Sequence, residues 1–300
     1  MKITKLGTIE TDIVESNPIV WKGKLYRFDY IRADRGNRNY CGRADRSSYF
    51  RFVDVATNEV VTTFGSGLHM GSAFTNGEKI VVTCIDRWGG DKFLQLESTD
   101  MVNWSEPRVI LENPEWSCYN TTFCFDGEKY ILTFELGKPS ALVGEPFTMF
   151  FAQSYDLSKW EMIPDAIFGY DFYTGGPMIR YHAPFYYLFY LDGSYENGFR
   201  EAVARSRDLK NWEYGNRYVL TYDEDDRKVY GDFSAQELEA IRTAANYNNS
   251  DLDMCEWQDK LFMTYSWGNQ RGIEFLALAE TKCSERDFCV SFFDNKEEKK

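Results

Sequence analysis

The chain of 300 residues is 17% aromatic and carries a formal net charge of −13. Such acidity argues against nucleic acid as a general partner, and no apolar run is long enough to span a membrane. With only His69 and His182 present, a histidine-based zinc site is excluded. Seven cysteines at irregular spacing read as reduced core thiols rather than a disulfide framework.

In chain order, the first residues show no apolar signal region, so the expected location is the cytoplasm. Residues 2–10 form a candidate edge strand. From Asn17 onward one pattern recurs: a short apolar strand, a polar or glycine turn, then an aromatic strand. It occurs as NPIVWKGKLYRFDY from Asn17, SAFTNGEKIVVTCID from Ser72, NTTFCFDGEKYILTFE from Asn120, GPMIRYHAPFYYLFYLDG from Gly176 and DMCEWQDKLFMTYSW from Asp253. A second signature follows three of these copies: Ser-x-Asp, a short polar turn, then Trp. It ends at Trp104, Trp160 and Trp212, about fifty residues apart. A third strand runs into each of these turns and a fourth leaves it.

Four antiparallel strands repeated at this interval are the mark of a propeller blade. The predicted fold is all-β: a five-bladed β-propeller with four-stranded antiparallel blades, in a single domain over residues 1–294, with a charged tail at 295–300. A β-sandwich is the alternative. Either residues 2–10 or residues 288–293 supply the strand that closes the ring. Two stretches interrupt the repeat. Residues 32–51 carry six arginines. Residues 222–247 begin acidic and then predict one short helix before blade five, with Ser234 as N-cap and Glu237 completing a capping box. Both stretches are candidate rims or lids over the central pocket, or else solvated surface.

The innermost strand of a blade starts at the ligand face and the second strand returns to it. Residues before first strands and after second strands therefore meet at one mouth. Blade five is the densest in such residues: Asp251 and Asp253 lie two apart and share a strand face, with Leu252 and Met254 on the other. Carboxylates and amides hydrogen-bond sugar hydroxyls, and aromatic faces stack on the C–H faces of sugar rings. Glycosidic hydrolysis needs one protonated and one ionised carboxyl group across the bond. Glu15, Glu135, Asp251 and Asp253 are the candidate catalytic residues. Asn17, Arg32, His69, Trp88, Asp91, Asn120, Thr174, Asn249, Trp267 and Glu274 are candidates for substrate binding, and Glu201 joins Glu274 at the start of a third strand. Each has a structural alternative: a strand-end acid is equally at home in solvent, and Trp88 or Trp267 can cap the core. Asp100, Asp156 and Asp208 belong to the recurrent turn and are assigned to structure.

The repeat with its Ser-x-Asp-x-x-x-Trp turns resembles the five-bladed β-propeller glycoside hydrolases of families 43 and 32. The tracts ESNPIVWKGKLY, GSAF, WGGDK and NNSDLDMCEW look most like a bacterial branch of that clan. The resemblance implies the propeller fold and an activity on glycosidic bonds. Its catalytic positions depart from the family pattern. Family 43 carries Asp-Pro in blade one as general base, and here the pair is Asn17-Pro18. It carries Glu-Gly-Pro in blade four as general acid, and here the tract is Gly175-Gly176-Pro177. Its third Asp falls near Asn120-Thr121-Thr122. The family triad is therefore not transferred, and the acids are sought among Glu15, Glu135, Asp251 and Asp253, with His69 as a further proton donor.

The expected function is hydrolysis of an oligosaccharide or glycoside in the central pocket by a pair of carboxyl groups. Two alternatives stand beside it: a glycoside phosphorylase using the arginines of residues 32–51 as a phosphate clamp, and a non-catalytic carbohydrate-binding propeller. The expected partner is a small carbohydrate, with neither nucleic acid nor membrane. No cofactor is expected, although some relatives of the family hold a structural calcium in the channel.

Overall fold

The computed structural model describes residues 2–32, 48–145, 147–194 and 198–293. Strand β1 (Thr4–Thr11) comes first. Blade one holds β2 (Ser16–Trp21), β3 (Lys24–Ile31), β4 (Tyr49–Asp54) and β5 (Glu59–Phe64). Blade two holds β6 (His69–Thr75), β7 (Ile80–Ile85), β8 (Lys92–Ser98) and β9 (Arg108–Glu112). Blade three holds β10 (Cys118–Phe125), β11 (Tyr130–Leu136), β12 (Thr148–Ser154) and β13 (Glu161–Phe168). Blade four holds β14 (Met178–His182), β15 (Phe185–Asp192), β16 (Arg200–Ser206) and β17 (Trp212–Tyr214). Blade five takes β18 (Asn248–Trp257), β19 (Lys260–Gly268) and β20 (Glu274–Thr281), and its outermost strand is β1. The innermost strands β2, β6, β10, β14 and β18 touch in succession, and β18 touches β2, so the ring is closed. Of the two candidate closing segments the N-terminal one pairs with β20; residues Glu285–Val290 form a helix instead.

Local chemistry fixes the blades. The β2–β3 hairpin turns at Lys22-Gly23, where both residues have positive φ (47° and 76°). This is the two-residue turn whose twist matches paired strands. Middle strands such as β7 are buried on both faces because each blade is sandwiched between its neighbours, whereas the outer strand β5 is largely exposed. The Ser-x-Asp turns are structural, as assigned. Asp100 accepts the amides of Val102 and Asn103 (2.9 and 2.7 Å), and Asp156 and Asp208 do the same in their own turns. These hydrogen bonds hold all three carboxyl groups well below the usual carboxylate range.

Each turn also delivers its tryptophan to the preceding blade. Trp104 stacks on Phe64 of blade one with ring centroids 3.7 Å apart. Trp160 donates to Gln95 Oε1 of blade two (3.1 Å), and Trp212 donates to the Ile167 carbonyl of blade three (3.2 Å). The repeat thus encodes blade-to-blade packing as well as the blades themselves.

The insertion before blade five contains a 3₁₀ turn (Glu224–Arg227) and helix α1 (Ala235–Thr243), capped by Ser234 and Glu237 as the sequence predicts. Its backbone pairs with the outer edge of β1, through Thr8 N–H to Lys228 O (2.7 Å) and Tyr230 N–H to Thr8 O (2.8 Å). It thereby covers an edge that would otherwise offer unpaired backbone groups. Fully buried Asp226 anchors it, bound by Lys5 (2.6 Å), Tyr265 (2.9 Å), Asn246 (2.9 Å) and Asn249 (3.2 Å).

Of the arginine-rich insertion, Arg35, Arg38, Arg43 and Arg46 lie outside the described residues. Arg51, in β4, is a structural partner of buried Asp29 and of Glu10 (2.8 Å each). The six described cysteines are free thiols, and among the described residues no helix is long and apolar enough to cross a membrane.

Candidate active site

The starts of all five innermost strands converge on one small polar cavity. It is lined by Glu15, Ser16 and Asn17 of blade one, Gly71 and Ser72 of blade two, and Asn120 and Thr121 of blade three. Gly176 and Pro177 of blade four and Asp251, Leu252 and Asp253 of blade five complete it. Its free volume is about 40 Å³, room for water rather than for a sugar ring.

Asp251 is the hub. A bulge between Ser250 and Asp253 interrupts the β18–β19 register, and Asp251 takes a φ of 51° there. Similar bulges open β6 and β10 at the same end of their blades. The bulge breaks the simple alternation expected of residues 251–254 and re-aims a side chain. The Asp251 carboxylate accepts a hydrogen bond from the Ser250 hydroxyl (2.6 Å) and lies against Gly176. Burial pushes its pKa up to about 6. Its charge in turn acts on Glu15, Glu135 and Glu201, on blades one, three and four.

These three glutamates are held toward the protonated form. Burial raises Glu15 to about 7; nearby Arg32 opposes the shift and Asp251 adds to it. Glu135 is raised to about 8, first by burial and then by Asp251. Its Oε2 accepts the backbone and side-chain N–H groups of Asn120 (both 3.3 Å). Glu15 Oε2 and Glu135 Oε1 have no hydrogen-bond partner among the described residues. Glu201, fully buried, is raised well above the ordinary value by burial and then by Asp251. Glu274, also raised by burial, pairs with Arg32 at 3.5 Å beside this group. Low-dielectric carboxyl groups near one anion cannot all ionise, and this separates one anion from several acids.

Other candidates fall elsewhere. Asp253 lines the cavity floor but is engaged by Arg180 (2.5 Å) and by the Met254 amide, which makes it a link between blades four and five. Trp267 is corrected from a stacking platform to a core residue: it is fully buried and donates to Thr8 Oγ1 (2.8 Å). Asn249 is likewise fully buried and serves the Lys5–Asp226 network. His69 is buried between Tyr30 (2.7 Å) and Ser48 (3.3 Å), and buried Thr174 donates to the Phe147 carbonyl (3.0 Å). None of these four borders the acid cavity. Asp91 pairs with Arg87 (3.4 Å) on the loop after β7, and Trp88 there packs on Tyr119. Among the described residues no group of three or more His, Cys, Asp or Glu is placed to hold a metal ion.

No family model matches the sequence, and no curated protein matches it. Solved structures do match. The RGII complex of BT0996 superposes with a TM-score of 0.64 at 12% identity, over 93% of this chain and 92% of that one. A thermostable family-43 glycoside hydrolase gives 0.62 at 11% identity, over 92% and 91%. An exo-1,5-alpha-L-arabinanase from a bovine ruminal metagenomic library gives 0.55 at 11%, over 91% and 94%. The chain has the fold of the family 43 glycoside hydrolases.

The departures from the family 43 pattern now have physical content. Asn17, at the position of the family base, uses its amide as a clamp. Its Nδ2 donates to Ala73 O (2.8 Å) and its Oδ1 accepts Ala73 N–H (3.0 Å), locking blade one to blade two. Thr121 bonds Thr83, and Thr122 accepts the Ile179 amide, two further links between blades. At Gly175, where family 43 has its acid, an added Cβ would lie 3.7 Å from Glu135 Oε1. A carboxyl group from blade three thus occupies the space beside the missing blade-four side chain. Sequence reasoning names Glu135 as a candidate acid but not its place beside Gly175, which is a relation between blades, invisible in either strand alone.

Proposed function

We propose that this protein is a glycoside hydrolase in which Asp251 is the ionised carboxylate and Glu15 the proton donor. The observation that carries the reading is the position of Asp251, at the meeting point of five strand starts, with acids of three other blades raised around it. As pH rises Asp251, raised to about 6, ionises before Glu15, which also lines the cavity and is raised to about 7, so Glu15 keeps a share of its proton near neutral pH. Glu15 protonates the departing glycosidic oxygen. Asp251 either activates water or attacks the anomeric carbon, according to the separation of the two carboxyl groups across a bound ring. Glu135 and Glu201, buried behind the cavity, stay neutral and keep the site from accumulating charge. Arg32 favours the ionised forms of Glu15 and Asp251.

The substrate class that suits carboxylates, amides and aromatic rims is a carbohydrate, and the fold's neighbours include glycoside hydrolases by name. Of the six arginines behind the phosphorylase alternative, the two among the described residues, Arg32 and Arg51, already face acids.

The test is turnover of a panel of aryl glycosides and oligosaccharides by the wild type, Asp251→Asn and Glu15→Gln. Each substitution is expected to lower kcat by roughly 10²- to 10⁴-fold while the chain stays folded. Full activity in both variants, or no turnover of any glycoside by the wild type, would sink the reading. Sugar binding without turnover would favour the non-catalytic propeller instead.

A further inference from the structure

Five aromatic side chains form a continuous arc across blades two to four. Trp88, on the loop after β7, meets Tyr119 of β10 edge to face at 6.2 Å, and Tyr119 meets Phe147 at 4.5 Å. Phe147 meets Tyr173 at 5.8 Å, and Tyr173 meets Phe199 at 5.9 Å. They come from blades two, three and four, from the same end of the propeller as the acids. Tyr119 directly precedes cavity-lining Asn120, and Tyr173 lies two residues before Gly175, which stands against Glu135.

Two features set the arc apart from the core. Core rings of the same blades, such as Phe93 and Phe134, are fully buried, whereas all five members of the arc are only partly buried. A contiguous row of half-open rings is an apolar patch of the kind that marks a binding surface. The rings are also held in place. A Cβ on Gly137 would come within 2.9 Å of the Tyr119 ring, and one on Gly193 within 2.2 Å of the Tyr173 ring. Glycine backbone thus forms a ledge against each ring, and a ring fixed before binding loses little freedom when a ligand covers it.

We propose that this arc is the platform for sugar units beyond the one that is cleaved, and that the substrate is an extended oligosaccharide laid across blades two to four. The inference rests on the hydrolase reading above. The arc reaches the residue next to cavity-lining Asn120, and its steps, 4.5 to 6.2 Å between ring centroids, are on the scale of single sugar rings. Neighbouring rings meet edge to face or tilted, at interplanar angles of 58° to 84°, so the arc offers successive sugars alternating ring faces and edges rather than one flat surface. The cavity alone has no room for a ring, so affinity must come from the surface outside it.

The full-length protein carrying Asp251→Asn reports binding without turnover. It is applied to an array of single sugars, disaccharides and longer plant and microbial oligosaccharides. The best long ligand and its shortest binding fragment are then titrated by calorimetry. Affinity is expected to rise with chain length. Phe147→Leu and Phe199→Leu keep apolar volume but remove the ring. Each is expected to weaken the long ligand roughly 2- to 10-fold and to leave the short fragment unchanged, with melting temperatures confirming the fold. Affinity independent of length, or equal losses for short and long ligands, overturns the platform alone. An array on which nothing binds overturns the platform together with the hydrolase reading.

Discussion

Gly176 and Asp251 are fitted to one another across the interface of blades four and five: a Cβ built on Gly176 would stand 2.8 Å from Asp251 Oδ1. Gly176 also has a φ of 54°, a left-handed conformation that L side chains adopt at a cost of about 1–2 kcal/mol. Gly176→Ala is therefore expected to lower the melting temperature and also to displace the Asp251 carboxylate. Gly77→Ala is the control, since Gly77 has a φ of 89° but nothing within 4 Å of its added Cβ. Both variants lose stability, but only Gly176→Ala loses kcat/KM. Equal activity in the two would show that the close approach does not matter to the site.

The activity of the proposed pair follows a bell-shaped pH profile. Its acid limb reports ionisation of Asp251, raised to about 6 by burial, and its alkaline limb reports loss of the Glu15 proton, raised to about 7. Glu15→Gln removes the alkaline limb from the residual activity, and Asp251→Asn removes the acid limb. A profile flat from acid to alkaline conditions contradicts the assignment.

Glu135 makes stability itself depend on pH. Its folded pKa, about 8, lies above the ordinary glutamate value of 4.5, so the folded chain keeps a proton that the unfolded chain has lost between those values. That stabilisation is complete below the unfolded value and declines as pH rises through the folded one. Glu135→Gln, which keeps the neutral shape, is expected to match the wild type in acid. Above about pH 8 it should exceed the wild type in unfolding free energy by a few kcal/mol. Urea unfolding at a series of pH values measures the difference, and parallel curves would refute it.

Asn17→Asp restores the carboxylate that family 43 carries at this position, yet it is expected to harm the protein. The substitution replaces the Nδ2 donor with an oxygen that faces the Ala73 carbonyl. Leaving that buried pair unsatisfied costs roughly 1–3 kcal/mol. The expected result is a lower denaturation midpoint with no gain in turnover. A gain in turnover would return the family base to consideration.

Asp253→Asn separates the two acids of β18. It breaks the pair with Arg180 and is expected to destabilise the fold by roughly 3 kcal/mol. The surviving folded protein should keep its kcat, unlike Asp251→Asn. Loss of kcat without loss of stability would place Asp253 in the chemistry.

The blades are legible in the sequence because their signals are local. A Lys22-Gly23 turn, a Ser-x-Asp turn and a middle strand of apolar residues each announce themselves within a few positions. The capping box at Ser234 and Glu237 is legible for the same reason. The site is readable only as far as strand starts can be superposed, which brings Glu15, Asn17, Asn120 and Asp251 to one mouth. Trp267 and Asn249 are not, because each has the look of a strand-end residue open to the pocket. Thr8 and the Lys5–Asp226 network, more than two hundred residues away along parts of the chain, bury them. The aromatic arc leaves a faint trace, since Phe147 and Phe199 each directly precede the third strand of their blades. Its continuity depends on contacts between blades that no single strand encodes.

The tryptophan turns give assembly a direction. Trp104, Trp160 and Trp212 each complete the blade before their own, so blades one to three reach their final packing only when the following turn has been made. On a chain synthesised from its N-terminus, each of these three blades waits for its successor. The wait is longest for β1, made first and paired last, with β20. Pulse-labelled hydrogen exchange during refolding is expected to find β1 among the last amides protected, and early protection there would mean that the ring closes by another order.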